Sequence, residues 1–473
     1  MQAPTPGSFE NPLRVAVIGS GPAGFYAVEH LLAQTDLTVQ VDLYDRLPTP
    51  FGLVRGGVAP DHQKIKSVTR IYDRIATHPQ FRFFGNVEVG RDILRTDLAA
   101  YYHGVIYAVG AHTARKMGIP NEHLPGCHSA TDFVGWYNAD PDHHQRHFDL
   151  SGTSAAVVGN GNVAMDVARM LASPHEELAT TDMADGAVAA LKDSGIRTIH
   201  VLGRRGPAQA AFTNREIREF GELPGVDVIV DPADVDLDSA SREALERSAD
   251  KTVERNLAIL RDYAERPPSG APVRIVLHFA VSPVELLGTE RVTGIVLAHN
   301  ELYTASDGTV RPRATDRRTT IPIDLVFAAI GYRGVPLDGL PFDRKSGTIP
   351  SRAGRIIDPL SEEALVGEYV TGWIKRGPQG VIGTNKPCAQ ETVNSLLEDL
   401  HQGLIGHRVP QRAVLESLLA ERQRHRVSYA DWLTLDAWEK ERGQAAGGRP
   451  RVKFTRVDRM IDALAEAGEA ATD

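Results

Sequence analysis

Cysteine is almost missing from this sequence: of 473 residues only Cys127 and Cys388 are cysteines, far apart and without C-x-x-C spacing. That excludes a disulfide framework, a dithiol redox pair and an iron–sulfur centre ligated by this chain alone, and it suits a reduced, cytoplasmic setting. No uninterrupted apolar run reaches the roughly twenty residues a membrane-spanning helix needs. The first thirteen residues, MQAPTPGSFENPL, have neither the basic-then-apolar pattern of a secretory signal nor the arginines of a transit peptide, and read as a disordered lead-in. Positive charge is short as well. The 52 Lys and Arg against 61 Asp and Glu leave a net charge of −9, which argues against general nucleic-acid binding while leaving room for a local basic patch. With 42% hydrophobic and 24% charged residues, the chain reads as soluble and globular, too long for one core and long enough for two or three domains.

Glycine is plentiful and placed. Arg14 to Asp45, RVAVIGSGPAGFYAVEHLLAQTDLTVQVDLYD, reads as strand, loop, helix and second strand, with Gly19, Gly21 and Gly24 in G-x-G-x-x-G spacing. Gly19 suits the tight turn, Gly21 the close approach of a pyrophosphate to backbone, and Gly24 the packing of helix on sheet. Pro22 falls in the first helical turn, where it loses no needed donor. The second strand, Val39 to Tyr44, ends at Asp45, a carboxylate able to accept hydrogen bonds from a ribose. Strand, helix, second strand and acid together point to a bound dinucleotide. A second unit opens at Ser154 with SAAVVGNGNVAMDVARMLA, in which Gly159, Gly161 and Ala164 fill the same fingerprint. After an insertion from Ser173 to Gly195, its second strand Thr198 to Leu202 ends in GRR. Arg204 and Arg205 stand where a ribose-binding acid is expected, and two guanidiniums suit a 2′-phosphate, so the second site should prefer NADP(H).

Between these units, RLPTPFGLVRGGVAPDHQKIK is too irregular for a helix or strand and reads as a structured functional loop. Its glycines at 52, 56 and 57, with Leu53, Val54, Arg55 and His62 beside Asp61, suit a flavin neighbour; a capping or surface role for His62 stays open. Lys64 to Thr77 has the spacing of an amphipathic helix, and Phe81 to Val89 and Gly104 to Val109 read as strands. Arg115 and Lys116 are phosphate contacts or solvated charges. His143, His144 and His147 lie in a polar loop without an acidic third ligand, so no metal is expected. In AAFTNREIREF, Thr213 and Glu216 have capping-box spacing, and Glu216 either caps the helix or faces a ribose. The charge-rich stretch Ser239 to Arg266 reads as a solvated helix. Val273 to Phe279, Arg291 to Leu297 and Leu325 to Ile330 read as strands. In EYVTGWIKRGPQGVIGTNKPCAQETVNSLL, a strand leads to Gly372 and Trp373, then a glycine-dense loop, then a helix with Ala389, Val393, Leu396, Leu397, Leu400 and Leu404 on one face. Amides from Gly380 through Val381 to Ile382 can stabilise negative charge on a reduced flavin. Trp373 offers a flat wall or is a core tryptophan. Trp432 and Trp438 fall in helices that wrap the first domain, and the end after Leu464 should fray.

The segments GSGPAG, LPTPFGLVRGGVAPDH, GNGNVAMDVAR, GRRGP and GWIKRGPQGVIGTNK closely resemble the adrenodoxin reductase family, including the ferredoxin–NADP+ reductases of actinobacteria. The resemblance spans nearly the whole chain. It implies an α/β fold of two Rossmann-like domains of glutathione-reductase type, with an NADP-binding domain (112–330) inserted into a discontinuous FAD-binding domain (1–111 and 331–473). By position it carries FAD contacts to Ala23, Asp45, Leu53, Val89, Trp373 and Gly380 to Ile382. NADP contacts carry to Arg115, Asn160, Gly161, Asn162, Val163, Arg204, Arg205, Glu216 and Gly380. His62 and Asp166 match polar groups near the flavin and are the catalytic candidates. The implied reaction passes a hydride from NADPH to FAD and then single electrons to a ferredoxin, which feeds cytochrome P450. With no iron–sulfur segment before Arg14, the acceptor is expected to be a separate protein, and the reductase a monomer. The alternatives are a glutamate-synthase small-subunit-like flavoprotein or a disulfide reductase, both opposed by the missing cysteine clusters, and a nucleotide-binding redox sensor without turnover.

Overall fold

A buried apolar strand, Leu13–Ile18, lies inside the first of two parallel sheets. It pairs in parallel with Val39–Tyr44 on one side and Gly104–Tyr107 on the other, with Leu13 opposite Val39 and Ile18 opposite Tyr44. Phe81–Phe84 closes one edge. The other edge comes from the far end of the sequence: Ala364–Val370 runs parallel to Gly104–Tyr107, and two short antiparallel strands follow outside it. A computed structural model describes residues 6–406 and 408–470 of the chain.

The second sheet is parallel throughout, in spatial order Cys127–Ser129, Leu325–Ala328, Ser154–Val158, Thr198–Leu202, Val273–His278 and Val226–Val230. A three-stranded antiparallel sheet (Val281–Leu287, Gly294–Thr304, Val310–Pro322) covers one face of it, burying Leu286, Ile295 and Leu297 against Val158, Leu202 and Val326. A two-stranded ribbon, Thr113–Ala114 with Tyr332–Arg333, joins the two chain crossings between the sheets. Each sheet therefore draws on its own part of the sequence, 13–107 with 351–370 for the first and 127–328 for the second.

Both fingerprint helices sit as their glycines require. Gly19 has φ +104° and Gly159 φ +129°, and a Cβ at either would lie 2.6 Å from Ala108 O or 2.3 Å from Ala329 O. The helices Pro22–Leu32 and Asn162–Ala172 follow. Leu53–Gly56 is a single helical turn inside the loop expected to be irregular. The helix expected over 64–77 is split into Gln63–Lys66 and Thr69–Ala76, and the long stretch before Arg266 breaks at Ala249, which has φ +47°. The strand expected from Arg291 runs instead over Gly294–Thr304. Asn385–His401 ends before Leu404, which is exposed, so Leu404 does not belong to its buried face. Trp432 and Trp438 lie on Tyr429–Ala445, which packs against the first sheet's core with Val457–Ala470. That last helix continues past Leu464 rather than fraying there; residues 471–473 lie outside the described residues. At the other end, Gly7 is buried and its carbonyl accepts from Thr38 N, so the lead-in is ordered from Pro6 onward, and residues 1–5 lie outside the described part.

Candidate functional site

Each fingerprint loop is closed by distant chain. At the first, Ser20 N and Ser20 Oγ donate to Asp45 Oδ2, and Leu47 N donates to Asp45 Oδ1 at 3.0 Å, so Asp45 fastens the loop to the strand end. A Cβ at Gly52 would touch Gly21 Cα at 3.0 Å, and one at Gly372 would meet the Ala23 Cβ at 2.6 Å. Gly21 itself faces open space, with nothing within 4 Å of an added Cβ. The helix start is thus approached closely by the backbone of Gly52 and of Gly372 and is open at Gly21, the cradle an anion at a helix N-terminus requires. Leu53, next to Gly52, is half-buried, as is Val89, which packs on the core that holds Ile18 and Tyr44. Trp373 is half-buried, donates from Nε1 to Gln379 O at 3.2 Å and has its ring 5.6 Å from that of Tyr332. Gly380 and Val381 are exposed, Val381 by 58%, and Ile382 opens the turn leading into the helix Asn385–His401.

At the second loop, Ala211 N donates to Asn160 O, and Thr213 N donates to Asn162 Oδ1 at 2.9 Å. Asn160 Nδ2 is buried with no hydrogen-bond partner, an orphan donor beside Gly161 that a bound polar group would satisfy. Val163 packs on the core. Arg204 is exposed and Arg205 half-buried, and no carboxylate pairs with either among the described residues. Burial and the neighbouring Arg204 charge lower Arg205, as expected of a cation pair lacking an anion. Arg115, the residue after the ribbon strand Thr113–Ala114, is exposed, and its Nε lies 3.4 Å from Tyr332 O.

His62 is neither a cap nor a surface residue. It is 4% exposed, its side chain makes no capping bond, and Nε2 lies 3.0 Å from Glu219 Oε2 while Nδ1 lies 4.0 Å from Asp166 Oδ1. The capping-box reading of Thr213 and Glu216 also fails, because Thr213 makes no side-chain cap and the Glu216 carboxylate turns inward to Arg169. Arg169, 2% exposed, is the residue sequence reasoning missed. Its Nε and Nη2 donate to Asp61 at 2.8 and 3.0 Å, Nη2 donates to Asp166 at 2.8 Å, and Nη1 lies 3.2 Å from Glu216 and 3.3 Å from Glu219. A sign was present: a basic residue amid the apolar run of the fingerprint helix, one turn after Asp166.

Burial pushes Glu216 up to about 7, with Asp166 adding to the rise and Arg169 opposing it. Burial would raise Glu219 too, but bonds from His62 and Arg215 and the Arg169 charge bring it down to about 2. Asp166 is raised by burial against Arg169 and His62, whereas at Asp61 the Arg169 bonds outweigh burial and lower it. Ligand atoms of His62, Glu216 and Glu219 lie within 4.8 Å of one another, but the Arg169 guanidinium stands beside both carboxylates, at 3.2 and 3.3 Å, where a metal cation would be repelled. His143 and His144 turn instead to Asp132 and the Pro141 carbonyl.

The family described as pyridine nucleotide-disulphide oxidoreductase matches residues 13–199. The chain is 47% identical over 453 residues to NADPH-ferredoxin reductase FprA of Mycobacterium leprae, spanning 94% of this chain and 97% of that protein. It is 38% identical over 464 residues to the mitochondrial NADPH:adrenodoxin oxidoreductase of Arabidopsis thaliana, spanning 96% of each. Among solved structures, Mycobacterium tuberculosis FprA in complex with NADPH superposes with a TM-score of 0.91 at 46% identity, over 96% of this chain and 100% of that one.

Proposed function

The chain belongs to the ferredoxin reductases of adrenodoxin-reductase type, and on that premise we propose how its residues divide the work of moving electrons from NADPH to a ferredoxin-type iron–sulfur protein. Bound FAD would supply the chemistry of taking a hydride from the nicotinamide and releasing electrons one at a time. The first fold, 1–111 with 331–473, binds FAD: the turn at Gly19, Gly21, Ala23 and Gly24 receives the pyrophosphate, Asp45 the ribose, and Leu53, Val89 and Trp373 flank the ring. Amides of Gly380, Val381 and Ile382 stabilise its negative charge. The second fold, 112–330, binds NADPH through Gly159, Asn160, Gly161, Asn162 and Val163, with Arg115 and Glu216 at its edges.

The observation that carries this assignment is Arg204 and Arg205, two guanidiniums at the end of the second fold's strand Thr198–Leu202 that no carboxylate pairs among the described residues, a pair absent from the first strand end. The His62 and Asp166 side chains are the polar candidates for handling protons beside the site. Substituting either slows flavin reduction and leaves FAD bound; unchanged hydride-transfer kinetics in both variants removes them from the mechanism. The reductase works as a monomer in the cytoplasm and feeds a cytochrome P450 through its ferredoxin. Among the described residues no helix is long and apolar enough to cross a membrane. Cytochrome c reduction with NADPH across a panel of candidate ferredoxins tests the reading. Ferredoxin-dependent turnover is expected, and turnover indifferent to every ferredoxin would refute it.

A further inference from the structure

Asp61, Asp166, Glu216 and Glu219 meet at Arg169, with Arg215 as the other fixed cation and the His62 imidazole facing them. Tyr137 and Tyr332 also face Asp166, their hydroxyls kept neutral by burial. The four acids come from three separate places: the loop before Gln63–Lys66, the fingerprint helix and the helix Asn214–Phe220. Arg169 does not serve them equally. Asp61 receives a two-point bond at 2.8 and 3.0 Å and Asp166 one at 2.8 Å. Glu219, 3.3 Å from Arg169, has His62 at 3.0 Å and Arg215 at 2.7 Å instead. Glu216 is left with one long contact at 3.2 Å and is 5% exposed.

We propose that Arg169 is a positioning residue of the reductase: by spending its short bonds on Asp61 and Asp166 it leaves the cluster's proton on Glu216, while tying the flavin half to the nucleotide fold. This rests on the reductase reading. Even with His62 protonated, three cations face four carboxylates, so a buried cluster of this composition takes up a proton, and it settles on the acid with the poorest cation coverage. The rise of Glu216 to about 7 agrees with that geometry. Among the described residues, Asp61 is the only ion-pair partner through which Arg169 reaches across from the nucleotide fold to the loop carrying His62. The proton therefore sits on the nucleotide side of that junction, next to the fold that receives an anionic cofactor. Protonated, Glu216 adds no negative charge there.

The test is an infrared titration of the FAD-loaded protein without NADPH, following the carbonyl stretch of a protonated carboxylic acid. A band titrating near neutral pH is expected, and it disappears in Glu216→Gln. Arg169→Gln removes the cation and moves the midpoint to higher pH; Asp61→Asn removes an anion and moves it lower, each by about one pH unit. Shifts of opposite sign are not a consequence of general loosening. If Arg169→Gln fails to fold, Asp61→Asn, at a partly exposed side chain, still decides by its sign. A band that survives Glu216→Gln, or a midpoint unmoved or raised in Asp61→Asn, overturns the proposal. The titration needs no turnover, so a protein that ignores every ferredoxin would refute the reductase reading and leave this result legible.

Discussion

Arg204 and Arg205 are adjacent like charges with no carboxylate to relieve them among the described residues, and burial with the Arg204 charge lowers Arg205. On the proposed assignment, a 2′-phosphate bound there would reverse that situation through charge-assisted bonds of about 1.5–3 kcal/mol each. Replacing both with alanine should raise KM for NADPH by at least about tenfold and leave NADH almost untouched, as steady-state kinetics with each nicotinamide would show. Glu216 supplies a pH dependence of definite sign. Its folded value of about 7 lies above the ordinary 4.5, so its contribution to stability is fully present below 4.5 and fades as pH rises through about 7. The same deprotonation places a negative charge in the second fold, so on the proposed assignment NADPH affinity should weaken as pH rises through about 7. Titrating binding from pH 6 to 8 should show that slope in the parent and a flat line in Glu216→Gln. Arg204 and Arg205 were legible because their meaning depends on position after a fingerprint. Arg169 was not, because its partners lie 108 and 47 residues away, at Asp61 and Glu216, and only the folded chain brings them together.

At the scale of elements, the first fingerprint separates two kinds of glycine. An added Cβ at Gly24 would sit 2.0 Å from Gly19 O, a backbone atom that cannot yield, whereas one at Gly21 meets no protein atom within 4 Å. Gly24→Ala should therefore destabilise the fold by about 1–3 kcal/mol or more. Gly21→Ala should change apoprotein stability by under about 0.5 kcal/mol yet abolish FAD retention. Melting curves of apoprotein and flavin content after purification check both, and equal losses of stability would contradict the distinction. The fingerprints were readable since strand, turn and helix are local. The antiparallel sheet of residues 281–322 was legible only as one strand, because its long outer strand Val310–Pro322 is mostly exposed and carries Arg311, Arg313, Arg317 and Arg318 in place of an apolar pattern. The Thr213 and Glu216 spacing fits a cap equally well, and the buried Arg169 guanidinium draws Glu216 inward instead.

Across the whole molecule, the two folds are joined by more than their crossing strands. Lys66 from the first fold and Lys453 from the C-terminal segment both grip buried Asp182 of the second fold, at 2.7 and 3.2 Å. Arg449 bonds the carbonyls of Thr181 and Met183 and pairs with Asp185, while Arg55 and Arg451 share buried Glu439. Burial lowers Lys453 well below its ordinary value, with Asp182 opposing the drop, and the two lysines together hold Asp182 far below the carboxylate range. Removing the shared acid strands two buried ammoniums, so Asp182→Asn should cost about 3–5 kcal/mol. Lys453→Met, which leaves the Lys66 pair intact, should cost less in urea unfolding; the reverse order would contradict this clamp. The pairing of the first sheet with Ala364–Val370 has a sequence counterpart in the glycine-rich segment after Glu368, whereas the clamp has none, because lysines and aspartates at 66, 182 and 453 look like ordinary surface charge until folded.

The most direct test of the whole assignment is anaerobic rapid mixing of the purified flavoprotein with NADPH and, separately, with NADH at equal concentration, following flavin absorbance. NADPH should bleach the flavin many times faster than NADH, and the double replacement of Arg204 and Arg205 by alanine should erase the difference. Equal rates with the two nicotinamides in the unaltered protein, or no bleaching by NADPH, would contradict it.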